Sequence, residues 1–213
     1  MSTNNAVYVD NKASFLYTTI DKRRRLFMKK SKLSVQDMCM IAASTAIIAI
    51  MAQISIPMPL GVPMTMQTFA ITFAAIVLGA KNSAIASLLY VLLGTIGVPV
   101  FANFTGGYDK VIGPTGGFLI SFPIMALLIG LGMDLHMKSS KMSIVAMVIG
   151  IVVGTIVNYI AGIVWFCVVM DSSFKVGFEA CVLPFIPTAI LKAILAVVVG
   201  LPVRKAVRKA TCR

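Results

Sequence analysis

Between Met38 and Val203 the chain carries only ten charged side chains, and nine of them stand in the breaks between long apolar segments. The segments run over Met38–Ile56, Met66–Leu78, Ser83–Gly97, Gly117–Met133, Ser143–Met170 and Cys181–Val203. Pro57 through Pro63 stop the first. Gly79 with Lys81 and Asn82 separates the second from the third, Pro99 closes the third, and a short polar loop over 171–179 precedes the sixth. A soluble domain carries about a quarter charged residues, whereas this chain has 12% charged, 59% hydrophobic and a mean hydropathy of +0.95. Lipid can cover so much apolar surface, and so short a chain cannot bury it. The pattern predicts an all-α integral membrane protein of six spans. A full span needs about 20 apolar residues. The second and third segments are shorter, so that hairpin is tilted, extended by interfacial residues or partly re-entrant.

The net charge of +12 invites a nucleic-acid reading, but its distribution favours a membrane surface. Eight of the 19 Lys and Arg lie in the first 32 residues and five in the last ten, with no aromatic interleaving. With six spans, one side gathers both tails, Lys81, Lys138 and Lys141, while the other holds Lys110 and Lys175. The excess of positive loops marks the cytoplasmic side, which places both termini inside and the loop at 100–116 outside. The expected organisation is a basic cytoplasmic extension over 1–36, a membrane domain over 37–204 and a basic tail over 205–213. Met28 with Lys29, Lys30 and Lys32 offers an alternative start, and no signal-peptide pattern precedes it.

No Walker A loop, HExxH or GxSxG occurs, and Cys39, Cys167, Cys181 and Cys212 are too scattered for a zinc or disulfide framework. The chain is therefore expected to be no enzyme, to hold no metal and to need no cofactor. Every Asp and Glu falls in a tail, a loop or a span end, so the carboxylate relay of a proton-driven pump is missing. Lys192 alone sits inside a span. A central Lys costs about 2.5–3.5 kcal/mol on insertion; it either snorkels along its stem to the interface or faces a cavity and an anionic or polar ligand. Ala42, Ala46 and Ala49 on the first segment, and Ala146, Gly150 and Gly154 on the fifth, form rows of small residues. Such rows serve close packing within the chain or docking of a partner membrane subunit. The loop from Val98 to Phe118, rich in Gly, Pro and Asn, is either an ordinary turn or a binding loop, since Gly exposes backbone N–H groups.

The stretches Met66-Gln67-Thr68-Phe69, Leu88 through Gly94, Gly97-Val98-Pro99-Val100-Phe101-Ala102 and Gly113-Pro114-Thr115-Gly116-Gly117-Phe118-Leu119 resemble the BioY family. These are biotin-specific S components of energy-coupling factor (ECF) transporters. The resemblance covers about residues 38–203 and implies a six-transmembrane-helix bundle of the S-component type in a bacterial plasma membrane. It implies biotin as the transported ligand, with a membrane coupling subunit and two cytoplasmic ATPases supplying energy. It also implies an S component that tilts to release its substrate, and a docking face at Ala42, Ala46 and Ala49.

On that resemblance the ureido group meets Asn103 and loop backbone around Thr115, Gly116 and Gly117. Phe101, Gln67, Tyr90, Tyr159 and Trp165 line the cleft, and Lys192 donates to one end of the ligand. The family's Pro-Gly-Asp-x-x-Lys pattern reads Pro187-Thr188-Ala189-Ile190-Leu191-Lys192 here, so Ala189 stands where an acid is expected. An S component for another vitamin is the nearest alternative. A membrane-embedded enzyme and a structural subunit are more distant ones.

Overall fold

The computed structural model describes residues 34–58, 62–135 and 140–210. The basic extension up to residue 33, the alternative start at Met28, Lys138 and the last three residues lie outside them. The chain divides into two units, residues 1–38 and 39–213. Within the first, Ser34 and Asp37 open helix α1 (Val35–Ala52). The Ser34 N–H donates to Asp37 Oδ2 at 3.3 Å, the reciprocal half of a capping box.

The second unit continues α1 into a two-strand hairpin, β1 (Ser55–Ile56) and β2 (Met64–Thr65), antiparallel with Ser55 opposite Thr65. Helices α2 (Gln67–Leu78) and α3 (Ala80–Thr95) follow. They are joined at Gly79, whose φ of 78° is a conformation open to glycine; a Cβ there would also stand 2.6 Å from the Asp134 carboxylate. The loop after α3 is ordered: a 3-10 turn (Ala102–Phe104), then α4 (Tyr108–Ile112). The long helices α5 (Gly116–Asp134), α6 (Ser140–Val169) and α8 (Ile186–Ala210) complete the bundle, with α7 (Phe174–Cys181) before the last.

Each of the six apolar segments becomes a helix, but among the described residues four helices are long and apolar enough to cross a membrane: α1, α5, α6 and α8. At 12 and 16 residues, α2 and α3 fall short of a straight span. The outer face of α6 presents Val145, Val148, Ile149, Val152, Ile156 and Ile160, all exposed. A helix apolar on its outside as well as its inside belongs in lipid.

Two expectations need correction. The stretch 171–179 is no simple polar loop, and the last long helix does not begin at Cys181. Gly177, Cys181, Val182 and Phe185 are buried, and the last three pack against Ile163 and Phe166 of α6, so this segment folds as α7 and a turn. Burial pushes the Cys181 thiol up to about 12. At the other end α8 continues through Ala210, so residues 205–210 extend that helix.

The two rows of small residues have different fates. A Cβ on Gly132 of α5 would stand 2.5 Å from Ala146 O, and one on Gly154 would stand 3.0 Å from Met125 O. The α6 row is therefore consumed by close packing on α5. On α1, Ser44, Thr45, Ile48 and Ala52 face inward, and Thr45 Oγ1 donates to Ala86 O of α3 at 3.1 Å. Ala42 and Ala46 point outward and are exposed, with Ala49 half-buried beside them.

Candidate functional site

A cavity of about 430 Å³ opens where the hairpin, the loop from Phe101 to Thr115, the first turns of α5 and α8 and the interior of α6 converge. That volume lies within the range of small-molecule sites. Phe101, Leu119, Phe122 and Phe185 make its walls apolar, and Gln67, Asn158 and Lys192 are its buried polar residues.

The loop wall is braced from α1. Gln53 Nε2 donates to Val100 O at 3.3 Å, and Gln53 Oε1 accepts the Phe104 N–H at 2.7 Å. Between these contacts Asn103 and Phe104 adopt φ of 58° and 55°, a conformation uncommon outside glycine. Asn103 Oδ1 accepts the Ser55 hydroxyl of β1, which leaves the Nδ2 donors without a partner among the described residues. Phe101 lies over Gly94, where a Cβ would stand 2.1 Å from its ring. Its other neighbour is Tyr90, edge-on at 5.6 Å between centroids.

Lys192 lies on the cavity wall. It is 9% exposed, and its Nζ donates to Thr65 O of β2 at 2.7 Å. The ammonium is held against the cavity by that bond. Among the described residues no carboxylate pairs with it. The acid nearest in role is Asp109 of α4, an exposed residue of the cavity wall beside Lys110, whereas Ala189 is not part of that wall.

Of the residues singled out from sequence, the structure brings Lys192, Asn103, Phe101, Gln67, Thr115 and Tyr159 together around the cavity. Tyr90, Gly116, Gly117 and Trp165 stand behind it. Tyr90 is fully buried and its hydroxyl accepts from Gln67 Nε2. Trp165 Nε1 donates to Gly113 O at 3.0 Å, which fixes the Gly-Pro-Thr-Gly-Gly corner. Gly117 gives α5 its close approach to α6, since a Cβ there would stand 2.4 Å from Ala161 O. These four position the wall without forming it.

Sequence reasoning missed Thr65, Phe118, Phe122, Phe185 and, above all, Asn158. Phe118 stands edge-on to Tyr159 at 6.4 Å and belongs to the same wall. Asn158 had a legible signal, a lone amide deep in a 30-residue apolar helix, but it falls on the row of small residues and reads there as packing.

The comparisons decide the family. The profile of the BioY family matches residues 28–209. This chain belongs to the BioY family. It is 35% identical over 168 residues to the probable biotin transporter BioY of Pyrococcus horikoshii, covering 79% of this chain and 96% of that protein. It is 38% identical over 179 residues to the biotin transporter BioY2 of Lactococcus lactis, covering 84% and 94%. A crystal structure of the S-component for biotin from an ECF-type ABC transporter superposes with a TM-score of 0.73 at 30% identity, over 80% of this chain and 92% of that one.

Proposed function

We propose that this BioY-family chain is the biotin-capturing S component of an ECF-type ABC importer. The observation that carries the proposal is the largely apolar cavity with one buried cation, Lys192, on its wall. Biotin combines an apolar bicycle, a hydrogen-bonding ureido group and a carboxylate. The phenylalanine walls suit the bicycle, Asn103 Nδ2 suits the ureido oxygen, and the Lys192 ammonium donates to an oxygen of the ligand. Thr115 and Tyr159 complete the lining.

In this reading the bundle crosses the bilayer six times, with α2 and α3 as a short, tilted pair. Both termini face the cytoplasm, as the excess of Lys and Arg at the tails and at Lys81 indicates, and the cavity opens outside. Energy comes from a coupling subunit and two ATPases. The exposed Ala42 and Ala46, with Ala49, suit the coupling subunit because small side chains admit a second helix closely.

Calorimetric titration of purified protein in detergent tests the ligand. Saturable heat with biotin at micromolar protein is expected; no heat with biotin, alongside tight binding of a different vitamin, overturns the assignment. Ala46→Trp is expected to abolish biotin uptake in cells carrying the energising subunits and to leave biotin binding unchanged. Normal uptake would remove α1 as the docking face.

A further inference from the structure

Three polar side chains on the cavity wall are at least nine-tenths buried among the described residues: Gln67, Asn158 and Lys192. Their hydrogen-bonding capacity is spent unequally. Gln67 Oε1 already accepts the Thr65 hydroxyl at 2.7 Å, and its Nε2 donates to Tyr90. Lys192 has only donors, one of them committed to Thr65 O. Asn158, 1% exposed, donates through Nδ2 to Phe118 O at 3.2 Å and to Ser121 Oγ at 2.8 Å.

Those two contacts fix which way the amide faces. Phe118 O can only accept, so the group that meets it must be the NH₂. The Ser121 hydroxyl spends its single hydrogen on the same Phe118 carbonyl at 3.0 Å, so it has only a lone pair to offer Asn158. Rotating the amide by half a turn would set its oxygen against two acceptors. The oxygen Oδ1 therefore has no hydrogen-bond partner in the protein, although it belongs to a residue of the cavity wall. An acceptor left without a partner in so confined a place is unfavourable, and a ligand that supplies an N–H removes that cost.

We infer that Asn158 Oδ1 is a preset acceptor for a ligand N–H, and that this amide, through its Phe118 and Ser121 anchors, selects ligands carrying a cyclic urea or comparable N–H donor. The inference rests on the proposal that biotin is the ligand, whose N–H groups are both in the ureido ring. It makes Asn158 a specificity-determining residue: ligands of the same shape without the N–H leave the amide oxygen unpaired.

The test pairs two variants with modified ligands. Asn158→Leu is nearly isosteric and Asn158→Ala is smaller; each is titrated with biotin and with biotin methylated at either ureido nitrogen. Wild-type protein is expected to bind one of the two methylated isomers at least tenfold more weakly than biotin. The variants are expected to lose on the order of tenfold in biotin affinity, the equivalent of one hydrogen bond, and to lose most of their discrimination against that isomer. Wild-type protein that binds both methylated ligands as tightly as biotin overturns the inference without recourse to any variant. So do variants that keep full affinity, or keep the discrimination unchanged. Wild-type protein that does not bind biotin at all is the separate failure of the biotin assignment.

Discussion

Helix α8 carries two buried cations, Lys192 and Arg204, about 18 Å apart at 1.5 Å per residue, and their surroundings are opposite. Arg204, 7% exposed, has three protein acceptors: it donates to Ile76 O of α2, to Met133 O at 3.4 Å, and to Asp134 Oδ1 at 3.1 Å. Asp134 in turn accepts the Ala80 N–H at the start of α3 at 2.8 Å. One guanidinium thus ties the α2–α3 corner to the ends of α5 and α8. Lys192 is almost as buried, yet it meets a single protein acceptor and otherwise faces the cavity. Burying a charge is costly wherever it occurs. At one end of the helix the protein meets that cost with its own carbonyls and a carboxylate. At the other it meets only part, and an oxygen-bearing ligand can meet the rest.

This contrast separates affinity from stability, and each variant below is chosen to break the separation. Lys192→Met is expected to weaken biotin binding about a hundredfold, the usual scale for losing a charged hydrogen bond in a buried site, with the melting temperature of ligand-free protein unchanged or raised. Calorimetry and a thermal-shift assay read the two quantities; an unchanged dissociation constant would show that Lys192 serves the hairpin and not the ligand. Arg204→Met should give the converse. It is expected to cost about 2 kcal/mol of stability, roughly 4–8 °C in melting temperature, while biotin affinity stays within about twofold. A large loss of affinity would mean that the two ends are coupled. The smallest effect is expected from Tyr90→Phe, which removes the acceptor that holds Gln67 Nε2. The dissociation constant should rise about threefold to fivefold, the value of one neutral hydrogen bond. No change would show that Gln67 needs no positioning.

Much of this arrangement is legible in the sequence because lipid makes hydropathy decisive. The six apolar segments all become helices, and Lys192 stands out because nothing else charged lies inside a segment. The Gly-Pro-Thr-Gly-Gly corner is legible too, although its parts divide into wall and support only in three dimensions. Thr115 reaches the cavity, while Gly116 lets the chain close against Val111 of α4 and Gly117 against Ala161 of α6. Tyr90 and Trp165 looked like cleft aromatics because a sequence gives ring type and not ring direction. Asn158 was hidden for a different reason: a spacing of four suits packing and a polar wall equally, and only the anchors from Phe118 and Ser121 tell them apart. The structure of α7 was obscured by Asp171, Ser172 and Ser173 before it, which read as the start of a loop.

The tie between Ile76 and Arg204 links residues 128 apart, and the one between Thr65 and Lys192 links residues 127 apart. A Cβ on Gly200 would stand 2.9 Å from Ile76, so α2 and α8 are immediate neighbours along their length. During synthesis, then, α2 is made long before the helix that flanks it exists. Until α8 leaves the ribosome the wall that carries Lys192 is missing, and the polar ends of the α2–α3 corner lack their guanidinium. The cavity is therefore a property of the finished chain alone, closed by the last long helix to be made.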